Sequence, residues 1–170
     1  MNDDFLTLIK TRRSVRSFTS KEVSEDVLDK ILEAGTYAPS AMGKQPSVIV
    51  AVRDKETKEK LSKMNAAVMN STKDPYYGAP VIIVVLSQGN NYLQDGSCVL
   101  ENMMLASHAL GLGSVWINRE NEMFDSKEGK ELLKKWHLDE SLRGVGALAL
   151  GYPAESPKAK ERKKDYIVKI

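Results

Sequence analysis

The stretch Pro80-Val81-Ile82-Ile83-Val84-Val85-Leu86 constrains the fold more than any other, because it offers no polar position to either side of an extended backbone. A half-buried strand alternates apolar and polar residues, so an unbroken β-branched run predicts a strand covered on both faces and central in its sheet. The apolar run from Ala79 to Leu86 is far too short to span a membrane. The elements around it follow from period and punctuation. Val48–Val52, Ser114–Asn118 and Val145–Pro153 read as further strands, the last with glycines and alanines that allow close packing.

Between them lie five predicted helices. Residues 3–10 carry Phe5, Leu6, Leu8 and Ile9. A second helix has Ser24 as cap, an apolar face of Val27, Leu28, Ile31 and Leu32, and Gly35 as its left-handed end. The third is capped by Asp54 and shares Leu61, Met64 and Val68 on one face. Leu93–Leu110 is apolar nearly all round and ends at Gly111, so it calls for cover beyond one sheet face and suggests a partner subunit. Ser126–His137 is polar, with Leu132, Leu133 and Trp136 as its stripe.

Several function classes drop out. A formal charge of only +2 makes the protein a poor nucleic-acid or anionic-membrane binder, so any basic cluster is local. Cys98 is the sole cysteine and the amino terminus, Met1-Asn2-Asp3-Asp4-Phe5, is acidic where a signal peptide is basic, so a cytoplasmic protein is expected. His108 and His137 have no ligand spacing with each other or with Cys98, and no metal site is expected. In Gly111-Leu112-Gly113-Ser114-Val115-Trp116 a tryptophan stands where a dinucleotide fingerprint needs its third glycine. Gly43-Lys44 lacks both the first glycine and the Ser or Thr of a phosphate loop. At 170 residues and 42% hydrophobic content, the simplest organisation is a single domain over 1–170.

Three segments carry candidate chemistry. Thr11-Arg12-Arg13-Ser14-Val15-Arg16-Ser17-Phe18 gathers guanidinium forks and hydroxyls, and if extended it turns Arg12, Ser14 and Arg16 to one side, where a phosphate ester fits. The same arginines could instead be a solvated surface or complement a helix C-terminus. Ala38-Pro39-Ser40-Ala41-Met42-Gly43-Lys44-Gln45-Pro46 is small and kinked, which lets backbone approach a ligand, and Gln45 adds a two-sided amide. After Pro153 the chain turns charged over 154–165 and then finishes on apolar Tyr166-Ile167-Val168-Lys169-Ile170, a strand in need of a neighbouring sheet.

In their order along the chain, Arg12-Arg13-Ser14-Val15-Arg16, Pro39-Ser40 with Gln45-Pro46, Gly111-Leu112-Gly113, Trp116-Ile117 and Gly151-Tyr152-Pro153 before Lys160 and Arg162 resemble the nitroreductase-like flavoprotein family. The resemblance implies an α+β sandwich, a mostly antiparallel sheet flanked by helices, with the C-terminal arm 154–170 exchanged in an intertwined homodimer. It implies one FMN in each of two interface sites and NADPH or NADH as electron donor. By the same resemblance, Arg12, Arg13, Ser14 and Arg16 would hold the phosphate, ribityl chain and pyrimidine edge, with Lys160 and Arg162 closing on the phosphate. The partner's Pro39, Ser40, Ala41 and Met42 would pack beside the ring, Trp116, Ile117 and Asn118 would pass along its other side, and Asn65 would reach the pyrimidine edge.

The implied activity is ping-pong reduction of nitroaromatics, quinones or other electron-poor acceptors, with no catalytic side chain. A backbone donor near Asn118 or Arg119 would serve the flavin N5, and Arg16 would meet charge at N1 and O2. Alternatives of the same fold are a flavin store or sensor, or a reductase of a conjugated alkene or halogenated aromatic. Gly43 and Ser47 depart from the family's asparagine and tryptophan, and the short Asn118–Ser126 stretch leaves little beyond Met123 and Phe124 to cover a pocket.

Overall fold

The apolar run becomes β2 (Val81–Ser87), buried along its whole length in the computed structural model, which describes residues 3–170. Met1 and Asn2, the start of the acidic terminus, lie outside the described residues. Period-two alternation splits β2 between two apolar layers. Ile82, Val84 and Leu86 join one cluster; Val81, Ile83 and Val85 join the other. Among the described residues the sheet has four strands in the order β1-β2-β4-β3, where β1 is Val48–Val52, β3 Gly113–Ile117 and β4 Arg143–Gly151. Each pairing is antiparallel, so the α+β expectation stands.

Helices cover both faces. α2 (Glu25–Thr36) and α4 (Tyr92–Ala109) pack on the layer of Val81, Ile83 and Val85, through Leu28, Ile31, Leu100 and Met103. α3 (Lys55–Val68), α5 (Glu120–Asp125) and α6 (Lys127–Lys135) cover the other, through Leu61, Met64, Phe124, Leu132 and Leu133. α1 (Asp3–Thr11) leads into the arginine segment and leaves Phe5, Leu6 and Ile9 exposed. Among the described residues no helix is long and apolar enough to cross a membrane.

Four expectations need correction. Gly35 lies inside α2 and is a packing glycine: a Cβ there would meet Ile49 Cδ1 at 2.8 Å and Met103 Cγ at 2.9 Å. Val68 comes out at the end of α3 and is exposed, while Asn65 and Ala66 are buried in its place. Asn118–Ser126 is mostly α5, a helix the polar sequence concealed. Met123 and Phe124 therefore face the core, 2% and 0% exposed, and cannot cover a pocket.

Candidate functional site

The arginine segment runs extended beside β3. Val15 N–H donates to Ser114 O at 3.1 Å, and Ser14 bridges Ser114 in parallel. Val15 is buried against Gly113, so alternation sends Ser14 and Arg16 the other way. This answers the glycine doublet: Gly111, at φ 77°, ends α4, and Gly113 lets the arginine segment lie close.

The guanidinium groups divide their work. Arg13 Nη1 donates to Lys10 O at 2.8 Å and Arg12 O at 2.7 Å, so it serves the carbonyl end of α1. Arg12 Nη1 is buried and has no hydrogen-bond partner. A buried cationic donor left open is costly, and an anion is the group that removes the cost. Nearby, Thr11 Oγ1 and His108 Nε2 lie 2.9 Å apart, and burial, then the charges of Arg12 and Arg13, hold the imidazole below its ordinary value of 6.5. Arg16 is exposed, and its backbone N–H donates to Glu155 Oε1 at 2.5 Å, bringing the start of the arm alongside. A cavity of about 410 Å³ opens here between Arg13, His108, Pro153 and Glu155. Lys160 and Arg162 follow on the exposed arm.

At the other end of β3, Trp116 is half-buried and its Nε1–H donates to Asn118 Oδ1 at 3.2 Å. Gly146 makes room for the indole, since a Cβ there would sit 2.5 Å from Nε1. Asn118 is exposed, Arg119 turns left-handed at φ 85°, and with Leu93 and Asn121 they line a cavity of about 370 Å³. The Ile117 side chain points into the core, 6% exposed, so only its backbone is left to border a ring.

The Pro39–Gln45 loop holds a short 3-10 turn, with Met42 at φ 54° and Gln45 at φ 50°. Asp95, nearly buried in the first turn of α4, accepts Ala41 N–H at 2.8 Å, and Ser40 Oγ accepts Gln45 N–H at 2.9 Å. Pro39, Ser40 and Gln45 border a cleft of about 420 Å³ floored by Ile49 and Val99, and Met42 stands 82% exposed. This cleft shares no lining residue with the cavities at either end of β3.

Asn65, expected at the pyrimidine edge, is fully buried, with Nδ2 donating to Asn118 O at 2.7 Å and Glu120 Oε1 at 3.2 Å, so its amide anchors the turn after β3.

Residues 9–152 match the nitroreductase family. This chain belongs to it. A relative from Methanothermobacter thermautotrophicus named "Putative NADH dehydrogenase/NAD(P)H nitroreductase" is 35% identical over 164 residues, 91% of this chain and 80% of that one. A solved nitroreductase with bound FMN from Bacteroides fragilis is 33% identical, covers 98% of both chains and superposes with a TM-score of 0.88. Another with bound FMN, from Desulfitobacterium hafniense, is 24% identical, covers 100% of both chains and has a TM-score of 0.89, a likeness of fold.

In this nitroreductase-family chain, sequence reasoning missed three residues that shape the candidate site. Asp95 reads as an ordinary acidic first-turn residue, Glu120 as one more charge in a polar run, and Glu155 as part of the solvated arm. A tertiary partner sets each one apart, and no local pattern marks it.

Proposed function

We propose that this chain is an FMN-dependent NAD(P)H oxidoreductase, built as a single nitroreductase-like domain and working as a homodimer. The observation that carries the reading is the buried, unpartnered Arg12 Nη1 beside Ser14 and Arg16, in a chain otherwise close to neutral. Arg12 and Ser14 would bind the phosphate and ribityl oxygens, Arg13 would add Nε and Nη2, and Lys160 and Arg162 would close from the arm. Arg16 would offset negative charge at the pyrimidine edge. Trp116 and the backbone of Ile117 and Asn118 would border one side of the ring, and the Arg119 N–H would stand toward its N5 edge. Pro39, Ser40, Ala41, Met42 and Gln45 would border the other side from the partner subunit, which fits their placement on a cleft apart from the arginine segment.

When bound, FMN supplies the ring that takes a hydride from NADH or NADPH and passes it to an electron-poor acceptor such as a nitroaromatic or quinone. The protein's part would be to hold the ring so that donor and acceptor could occupy one place in turn. The exposed run Tyr166-Ile167-Val168, 79%, 75% and 78% accessible, supports an exchanged C-terminal strand: apolar residues this open need a partner's surface.

The deciding experiment is the visible spectrum of purified protein incubated with FMN and desalted, then given NADPH or NADH without oxygen. Retained flavin that bleaches with either nucleotide supports the oxidoreductase. Retained flavin that does not bleach turns the reading toward storage or sensing, and no retained flavin refutes it.

A further inference from the structure

Glu120 opens α5 directly after left-handed Arg119 and is fully buried. Its Oε1 is crowded: Tyr76 Oη–H donates to it at 2.9 Å and Asn65 Nδ2–H at 3.2 Å. Its Oε2 has no partner, although it too is shut away from solvent, and the same holds for Asn65 Oδ1. Flipping the amide is no remedy. Nδ2 also donates to Asn118 O, so an oxygen in its place would face two acceptors. An ionised carboxylate leaves Glu120 Oε2 and Asn65 Oδ1 both without a donor, in a pocket where no cation bonds to it. One proton resolves both. Placed on Oε2, it would make that oxygen a donor, and the open acceptor on the amide already bonded to Oε1 is Asn65 Oδ1, so acid and primary amide would pair through both of their ends.

We propose that Glu120 is kept as a neutral carboxylic acid, paired with Asn65, that pins the turn between β3 and α5 and so positions the backbone of Asn118 and Arg119. What the turn faces rests on the flavin reading above; the neutrality of the carboxyl does not. The surroundings agree. α3 presents Asn65, the loop before β2 presents Tyr76 with Asp74 beyond it, and the turn presents Arg119. β4 packs Gly144 against it, where a Cβ would lie 2.0 Å from Glu120 O and 2.6 Å from its Cβ. Burial pushes the Glu120 carboxyl up to about 8, against the pull of hydrogen bonds from Tyr76 and Asn65 and of the Arg119 charge. Tyr76 is also pushed up, by burial and by Glu120, and stays a donor.

The test is a pH titration of the wild type and Glu120→Gln, begun without flavin. Gln is neutral and keeps a donor and an acceptor, so the variant should hold the turn at every pH. With carboxyl-labelled glutamate, one wild-type resonance should stay in its protonated position to about pH 8 and be missing from the variant. Glutamates that all titrate near the ordinary 4.5 would overturn the proposal, and this reading needs only the wild type should the variant fail to fold.

Because the folded value is raised, the unfolding constant of the wild type should rise about tenfold per pH unit between the ordinary and raised values, relative to Glu120→Gln, and then level off. Parallel curves would again count against it. The Asn118 and Arg119 amide resonances should move near pH 8 in wild type and stay in place in the variant; amides that do not move refute the positioning role. With FMN added, wild-type affinity should fall above that pH while the variant's stays level. Parallel affinity profiles also refute positioning, whereas no FMN binding at any pH sinks the flavin reading and leaves the neutral carboxyl standing.

Discussion

Gly113→Ala tests whether the closeness of β3 to the arginine segment matters. Gly113 does not need left-handed freedom, so alanine fits its backbone, and the whole effect falls on the new methyl. That methyl would lie 2.8 Å from Val15 Cβ, Cγ1 and Cγ2 alike. Carbon atoms settle at about 3.5 to 4.0 Å, so Val15 must withdraw by roughly 1 Å. Overpacking of this kind costs about 1 to 3 kcal/mol, offset by the roughly 0.5 to 1 kcal/mol alanine gains over glycine in a strand. A net loss centred on roughly 1 kcal/mol, within about 0 to 2.5, is expected in urea unfolding. The Val15 N–H to Ser114 O bond, 3.1 Å now, is the first to lengthen, and Ser14 and Arg12 are carried with it.

Losing one charge-assisted hydrogen bond to phosphate, about 1.5 to 3 kcal/mol, would weaken FMN binding roughly ten- to a hundredfold. Adding Val15→Ala removes two of the three contacting atoms and should recover part of both losses. A Gly113→Ala protein as stable as wild type and equal in FMN affinity would refute the reasoning.

Arg12→Ala combined with Arg16→Ala should weaken FMN binding by several kcal/mol, at about 1.5 to 3 for each charged hydrogen bond, and unchanged affinity in calorimetry would remove the phosphate assignment. Deleting Tyr166–Ile170 should shift the protein toward monomer in sedimentation velocity, and a truncated chain still fully dimeric at low concentration would refute strand exchange. Asp54→Ala should cost about 1 kcal/mol, because the carboxylate accepts the Thr57 N–H at 2.8 Å as the cap of α3. That bond holds Asp54 below its ordinary 3.8, so the cap's contribution is present above that pH and fades as pH falls through the lowered value. A difference between wild type and variant that persists at strongly acidic pH would contradict it.

What the sequence disclosed about the fold is what one-dimensional pattern can encode. An unbroken apolar run must be a covered strand, and 81–86 became a strand with neighbours on both sides. Asp54 and Gly111 punctuate locally, and each did as expected. Gly35 deceived because a glycine near a helix end looks the same whether it frees the backbone or makes room for Met103. α5 was hidden because its two core residues, Met123 and Phe124, sit among charges that outnumber them. In the site, alternation offered an extended run around Val15 as one reading and a helix-end complement as another, and Arg13 takes the second, a division that depends on where α1 ends. Asn65 and Glu120 define each other across 55 positions, a separation no local pattern spans.

β2 belongs to both apolar layers, and amide hydrogen exchange should feel the consequence. Neither layer can open without exposing side chains of the same strand, so there is no half of the sheet to release first. The amides of β2 and its partner β4 should exchange with solvent only through global opening, as one slow set, while α1 and the arm exchange early.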